Sequence, residues 1–324
     1  MLRVGFIGAG FIAGVHAQVL AGIDDVQVAA IVDPHEGRAL ALAANVGART
    51  LPSVEALLGE VDAVYLCAPN AFHAGLAIAA LDAGLHVFSE KPMATSLADA
   101  RRVREVAARA KGVYQIGFNK RFAPIYRALK ERIESGELNP RWAHMKMNRG
   151  ELQRPAWVAD PSLSGGFLYE TPIHLLDLSC WLFGPLQEVV CRAARTCAEQ
   201  LDDFAMLLTF QSGLSATLCS SAHTTWLFPY ERVEVYGDHA VAVTEEMERV
   251  TFQIGLEAEA ATQDVSHLPM AERWGYLAED EAFLAAVRGE EAPAVGALVA
   301  ERAIEIVDAC YRAAETRQPV TFSE

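Results

Sequence analysis

Within the first 120 residues the apolar side chains gather in short runs, most of them continuous rather than alternating: Leu2–Ile7, Val26–Val32, Ala63–Ala68, His86–Phe88 and Val113–Gly117. Continuous rather than alternating runs of this length are expected of strands covered on both faces. Such strands are parallel, and parallel neighbours need crossover helices. The stretches between the runs have helical period. Leu97–Ala110 places Leu97, Ala100, Val103, Val106 and Ala110 on one stripe, with Ser96 and Asp99 as a start signal and Gly112 as a stop. The fold class expected is α/β, beginning with a doubly wound parallel sheet.

The second half has a different rhythm. Helical patterns cover Ala123–Ser135 and Ile173–Phe183, and strand-like segments then follow one another at Glu188–Cys197, Asp203–Phe210, Leu214–Ser221, Arg232–Tyr236 and Val250–Ile254. Gln211-Ser212-Gly213 joins two of them at hairpin distance. Helical patterns resume over Tyr276–Ala286 and Ala297–Ala314. This predicts an open, mostly antiparallel sheet with helices, and a boundary near Asn119–Pro124. A length of 324 residues fits two domains, and 52% hydrophobic against 21% charged residues excludes a wholly disordered chain.

Charge and cysteine content narrow the partners. A net charge of −15 makes nucleic acid and anionic membranes poor partners. The six cysteines contain no C-x-x-C pair and no Cys/His cluster at ligand spacing, so reduced thiols in a cytoplasmic protein and no metal are expected. The opening MLRVGFIGAGF is too short and too glycine-broken for a signal peptide, and no run of 18 apolar residues follows.

Three motifs carry chemistry. Gly8-Ala9-Gly10-Phe11-Ile12-Ala13 is a G-x-G-x-x-A that follows a strand and opens a helical segment, Ile12–Leu20. Gly8 permits the turn, Gly10 lets a pyrophosphate approach the main chain, and Ala13 allows close helix packing. The N–H groups at Phe11 and Ile12 face the phosphates. Asp33, ending the second apolar run, would accept hydrogen bonds from the ribose hydroxyls and repel a 2′-phosphate, which favours NAD over NADP. Glu90-Lys91-Pro92 follows the His86–Phe88 run, at the strand end where such sheets bind ligands. Lys91 is one of only five lysines. The third motif runs from Ser164 to Asp177. Thr171 reads as a helix cap and Pro172 as the first helical residue. His174 then lies in the first turn, where the positive helix end favours a neutral ring able to take a proton from an alcohol. Asp177 would orient that ring or cap main chain, and Glu170 adds a carboxylate.

Together, GAGFIA, CAPNAFH (67–73), EKP (90–92), GFNKRF (117–122), GG-x3-E-x3-H-x2-D (165–177) and the closing Gln318-Pro319-Val320 strand resemble the glucose–fructose oxidoreductase and inositol dehydrogenase family (Gfo/Idh/MocA). The resemblance covers almost the whole chain. It implies a Rossmann domain over 1–120 and a substrate-binding, oligomer-forming α/β domain over 121–324. It implies NAD(P)-dependent oxidation of a sugar, cyclitol or related polyol, or the reverse, in a homodimer or homotetramer. By the same resemblance Lys91 matches the lysine that hydrogen-bonds the reacting hydroxyl and His174 the general acid/base. Ala68, Pro69, Asn70 and His73 match the loop near the nicotinamide, and Asn119 a residue near cofactor and substrate. The family's usual Asp-x-Gly-x-His is Glu170-Thr171-Pro172-Ile173-His174 here. The expected mechanism has His174 remove the hydroxyl proton while Lys91 stabilises the alkoxide, with Glu170, Asn119 and Trp157 holding the rest of the substrate. Lys91 and His174 are therefore expected to converge on one hydroxyl. Three alternatives stay open: a lyase or hydrolase that oxidises transiently with retained NAD, a non-catalytic NAD-responsive binder, and the same fold acting on a non-sugar substrate.

Overall fold

The computed structural model describes residues 1–150, 152, 155–225 and 230–322. Its contacts divide the chain into two compact units: Met1–Asn119 with Tyr276–Ile304, and Lys120–Gly275 with Glu305–Glu324. Among the described residues no helix is long and apolar enough to cross a membrane.

The first unit alternates strand and helix. In order these are β1 (Leu2–Ile7), α1 (Phe11–Ala21), β2 (Val26–Val32), α2 (Glu36–Val46), β3 (Arg49–Thr50), α3 (Val54–Leu58), β4 (Ala63–Leu66), α4 (His73–Asp82), β5 (His86–Glu90), α5 (Leu97–Arg109) and β6 (Tyr114–Gly117). The six strands pair in parallel in the order β3-β2-β1-β4-β5-β6. The order reverses between β1 and β4, which opens a crevice at the carboxyl ends of the strands. β1 and β2 span the apolar runs of the sequence residue for residue. β5 runs two residues further, through Ser89 and Glu90, both buried. Ser96 caps α5 as expected, its Oγ accepting the Asp99 N–H at 3.1 Å. Gly112 acts through close approach, since a Cβ there would overlap the Leu85 carbonyl.

The second unit begins with α6 (Pro124–Glu134) and β7 (Pro140–Asn148). The short helices α7 (Pro161–Ser164) and α8 (Phe167–Glu170) lead into α9 (Ile173–Phe183). Strands β8 (Leu186–Ala194), β9 (Asp203–Phe210), β10 (Ser215–Ser221), β11 (Glu231–Gly237), β12 (Ala240–Glu245), β13 (Arg249–Ile254) and β14 (Ala261–Asp264) follow. The chain ends in α10 (Met270–Arg273), α11 (Tyr276–Val287), α12 (Ala297–Thr316) and β15 (Val320–Thr321). The nine strands lie in the order β14-β13-β12-β11-β7-β10-β9-β8-β15. Every pairing is antiparallel except β7 with β10. Alternation is clean: Ala143, Met145 and Met147 of β7 and Phe204, Met206 and Leu208 of β9 face the core.

Residues 121–324 read as one continuous domain, but Tyr276–Ile304 packs with the first unit. The cause is burial: α11 lies on α1, and its Phe283 and Leu284 enter the core built from Val4, Phe6, Ala13, Leu20, Tyr65 and Phe88. Tyr65 and Phe88 stack at 4.6 Å, with the Phe283 ring edge-on to both.

Candidate active site

In the first unit the β1–α1 turn is fixed by two glycines of different kinds. Gly8 has φ +101°, and a Cβ on it would overlap the carbonyl of Cys67 in the neighbouring strand end. Only glycine fits. Gly10 has ordinary extended backbone (φ −81°, ψ −170°), and a Cβ on it would meet nothing within 4 Å. Gly10 therefore leaves space open at the start of α1. No side chain caps that helix and no acidic residue lies in its first turn. The first N–H groups of a helix have no intrahelical partner, so this is an uncapped positive terminus with a cradle that a Cβ would fill. Ala13 is buried in the packing below, and Phe11 is exposed.

Asp33 follows β2 and its side chain is nearly covered. Its Oδ2 accepts the Ala9 N–H at 2.8 Å and its Oδ1 the His35 N–H at 2.7 Å. Each oxygen keeps a second lone pair for a hydroxyl. The carboxylate thus does two jobs: it closes the glycine turn and stands beside it as an acceptor. These residues fit the pyrophosphate and ribose of a dinucleotide.

Asn70 and His73 come after β4 and are both buried. His73 faces the Pro92 carbonyl with Nδ1 and the Ala68 carbonyl with Nε2, both at 2.7 Å. His73 stands between the Ala68–Pro69 loop and the Lys91–Pro92 segment, and its neutral ring, with one N–H, donates to one of these two carbonyls. Burial holds its pKa below the ordinary histidine value. Lys91, half-buried, directly follows β5, and its N–H donates to Glu90 Oε2 at 3.1 Å. Glu90 itself is buried and faces inward to His16. Asn119, also buried, opens the turn Asn119–Phe122.

In the second unit, Gly165 (φ +83°) and Gly166 (φ +112°) turn the chain into α8. A Cβ on Gly166 would press to 2.6 Å on the Tyr311 hydroxyl, which itself accepts the Leu168 N–H. Glu170, half-buried, ends α8. Thr171 closes that short helix and Pro172 is the cap of α9, with no side-chain hydrogen bond, so the expected order of cap and first residue moves one position on. His174 remains in the first turn of α9, half-buried, its N–H donating to the Thr171 carbonyl at 3.2 Å.

Asp177 departs from expectation. It does not serve the His174 ring: both its oxygens take the Arg121 guanidinium, at 2.7 Å from Nε and 2.6 Å from the terminal nitrogen. A buried carboxylate needs a charged partner, and the planar fork of arginine supplies two parallel hydrogen bonds. Burial still raises the Asp177 pKa above the ordinary carboxylate value. The pair fastens α9 to the Asn119–Phe122 turn. Its neighbour Lys120 is buried against Glu231 and Met247, and Tyr126 donates to the same Glu231. Trp157 lies half-buried in a single helical turn, Ala156–Ala159. Among the described residues no group of three or more His, Cys, Asp or Glu side chains could hold a metal ion.

His16 and Asp280 belong to none of the motifs, and Arg121 stands in GFNKRF with no role assigned to it; for the two helical residues a signal exists. The available signal is a charged or polar residue on a helix stripe that is otherwise apolar. His16 falls between Ala13, Ala17 and Leu20, and Asp280 between Tyr276, Phe283 and Leu284.

Comparison with known proteins agrees with this geometry. Residues 2–118 match the model of an oxidoreductase family with an NAD-binding Rossmann fold, and residues 130–322 match that family's C-terminal alpha/beta domain. An inositol 2-dehydrogenase of Rhizobium meliloti is 29% identical, covering 98% of each chain. A myo-inositol 2-dehydrogenase of Thermotoga maritima is 28% identical over 100% of this chain and 99% of its own. A levoglucosan dehydrogenase solved with NADH superposes with a TM-score of 0.92 at 18% identity, covering 100% of this chain and 99% of its own, which shows the shared fold. The glycine turn, the aspartate after β2 and the two-unit architecture are thus those of a nicotinamide-dependent oxidoreductase, and the chain belongs to the Gfo/Idh/MocA family.

Proposed function

We propose that this enzyme oxidises a secondary alcohol of a cyclitol, or a closely related polyol, with NAD as hydride acceptor. The observation that carries the reading is Lys91 at the carboxyl end of β5, one strand from the order reversal between β1 and β4, in a chain whose end-to-end relatives are inositol 2-dehydrogenases. The Asp33 carboxylate beside the glycine turn supports NAD over NADP. It would hydrogen-bond two ribose hydroxyls and repel a 2′-phosphate.

The cofactor, when bound, supplies the hydride acceptor. The protein supplies orientation and proton transfer. Lys91, on the first unit, holds the substrate hydroxyl oxygen and its ammonium stabilises the negative charge that develops there. His174, on the second, takes the hydroxyl proton at a ring nitrogen. Its place in the first turn of α9 favours the neutral ring this needs. Glu170 and Asn119 bind the remaining hydroxyls, and Trp157 offers a ring face. Asn70, His73 and Glu90 act by holding the loops that carry Pro69 and Lys91.

The assembly we propose is a dimer or tetramer through the outer face of the second sheet. Trp142 and Tyr236 are cross-strand neighbours there, with Leu207 on the same face, and the three are 41%, 40% and 38% exposed. Large apolar side chains grouped on one sheet face point to a covered surface. The six cysteines are free thiols, in keeping with a cytoplasmic enzyme.

The test is a panel of cyclitols, aldoses and amino sugars offered with NAD or NADP, read by NADH or NADPH absorbance. Turnover is expected with a cyclitol and NAD. Reduction of NADP at equal efficiency would overturn the cofactor assignment, and turnover restricted to aldoses would overturn the substrate class.

A further inference from the structure

His16 is wholly buried on α1, one turn beyond the glycine motif. Aromatic rings surround it: Phe88 at 5.0 Å, Tyr65 at 5.4 Å and Tyr276 at 5.5 Å between centroids. Inside this dry cage both ring nitrogens meet carboxylates. Nδ1 lies 2.8 and 3.0 Å from the two oxygens of Asp280, and Nε2 lies 3.2 Å from Glu90 Oε1. A neutral imidazole has one N–H and would turn a lone pair toward one of the carboxylates. The arrangement therefore suits an imidazolium. Burial alone would lower its pKa, but the two carboxylates outweigh burial and hold it at about 10.

The other oxygen of Glu90 accepts the Lys91 N–H at 3.1 Å. A continuous chain of charge-assisted hydrogen bonds thus runs from α11 through α1 and the end of β5 to the main chain of Lys91. On the far side, His73 Nδ1 lies 2.7 Å from the Pro92 carbonyl. The Lys91 N–H is held on one side, and the Pro92–Met93 peptide stands against His73 on the other. A protein does not need two buried carboxylates and an imidazolium to pack a helix on a sheet; apolar residues of similar volume would serve as well or better. What apolar residues cannot do is fix one oxygen on one N–H.

We propose that His16 and Asp280 are positioning residues which, through Glu90, fix the main chain of Lys91 and hence the point from which its ammonium reaches the substrate hydroxyl. This rests on the reading of Lys91 as the group that binds that hydroxyl. It predicts that weakening the far end of the chain is felt at Lys91, with the fold kept.

Asp280→Asn keeps the shape of the carboxylate and removes its charge. Amide hydrogen exchange at Lys91 is expected to quicken at least tenfold in this variant, with protection in β1, β2 and β6 unchanged. Turnover of myo-inositol with NAD is expected to fall at least tenfold in kcat, with NAD affinity within twofold of wild type. In a Lys91→Ala background the same substitution is expected to change the residual kcat less than twofold, because nothing is left to position. Equal fold losses in both backgrounds would make the cluster merely structural and overturn the inference. So would an unchanged Lys91 exchange rate, whatever the enzyme turns over. If Lys91→Ala keeps full turnover, the reading of Lys91 fails and the inference falls with it. If Lys91→Ala loses turnover while Asp280→Asn does not, only the inference fails. Should Asp280→Asn not fold, Glu90→Gln carries the test, since its single carbonyl oxygen can serve His16 or Lys91 but not both.

Discussion

Gly10→Ala separates cofactor binding from stability. The Gly10 backbone, φ −81° and ψ −170°, is open to every L-residue, and the new methyl meets no protein atom within 4 Å. The apo protein is therefore expected to be as stable as wild type, or more stable by about 0.4–1 kcal/mol through the lower entropy of the unfolded chain. The same methyl occupies the approach to the N–H groups of α1. Losing one charge-assisted N–H to phosphate hydrogen bond costs about 1.5–3 kcal/mol. At about 1.4 kcal/mol per tenfold, NAD affinity falls by roughly 10- to 150-fold. Gly8→Ala is the control with the opposite outcome. Its φ of +101° and its overlap with the Cys67 carbonyl are expected to destabilise the apo fold itself. Backbone strain of about 1–2 kcal/mol adds there to overpacking of about 1–3 kcal/mol. Thermal melts of both apo variants, with calorimetric titration of NAD, decide the matter. A Gly10→Ala protein that binds NAD within twofold of wild type would refute the placement of the pyrophosphate, as would one whose apo form melts well below wild type.

Asp33→Ser is expected to narrow the preference for NAD over NADP, read as the ratio of their dissociation constants; an unchanged ratio would remove Asp33 from the ribose site. His174→Ala is expected to lower kcat by about 10²–10⁴ with NAD affinity nearly intact, and a variant with full turnover would dismiss it as the acid/base. His16 is buried and titrates at about 10 when folded, above its unfolded value of about 6.5. Its stabilising charge is thus fully present below the unfolded value and is lost as pH rises toward 10. Across that window wild type should lose up to about 1.4 kcal/mol per pH unit relative to His16→Gln, and parallel stability–pH curves for the two would contradict the imidazolium. Light scattering at micromolar concentration should give the mass of two or four chains, and a Trp142→Glu, Tyr236→Glu double variant should give one; a wild-type monomer would contradict the covered sheet face.

How far the fold was legible depended on the kind of burial. β1 and β2 lie under helices on both faces, so their apolar runs mark their ends. β7 escapes such a reading because its inward Ala143, Met145 and Met147 alternate with Trp142, His144 and Lys146, and no apolar run forms. The division into units follows tertiary packing instead. Nothing local in Tyr276–Val287 says that Phe283 and Leu284 join the first core rather than the second. At the site, Gly8 is legible because its main-chain geometry demands glycine, and Gly10 and Asp33 because the dinucleotide-binding motif sets those residue types at fixed offsets from it. Asp177 misled for the same reason that Arg121 escaped notice. Their pairing spans 56 positions, and a spacing argument sees only the histidine three residues away. The link between His16 and Asp280 spans 264 positions and depends on two helices packing face to face.

The most direct test of the account is the stoichiometry of NADH formed from myo-inositol and excess NAD by a catalytic amount of enzyme. NADH is expected far in molar excess over enzyme, one per polyol oxidised, with the same dependence on polyol concentration for both products. NADH that stops at or below one equivalent per chain, while the polyol is still consumed, would mean a cofactor retained and recycled within each turnover, and would contradict the assignment as a dehydrogenase.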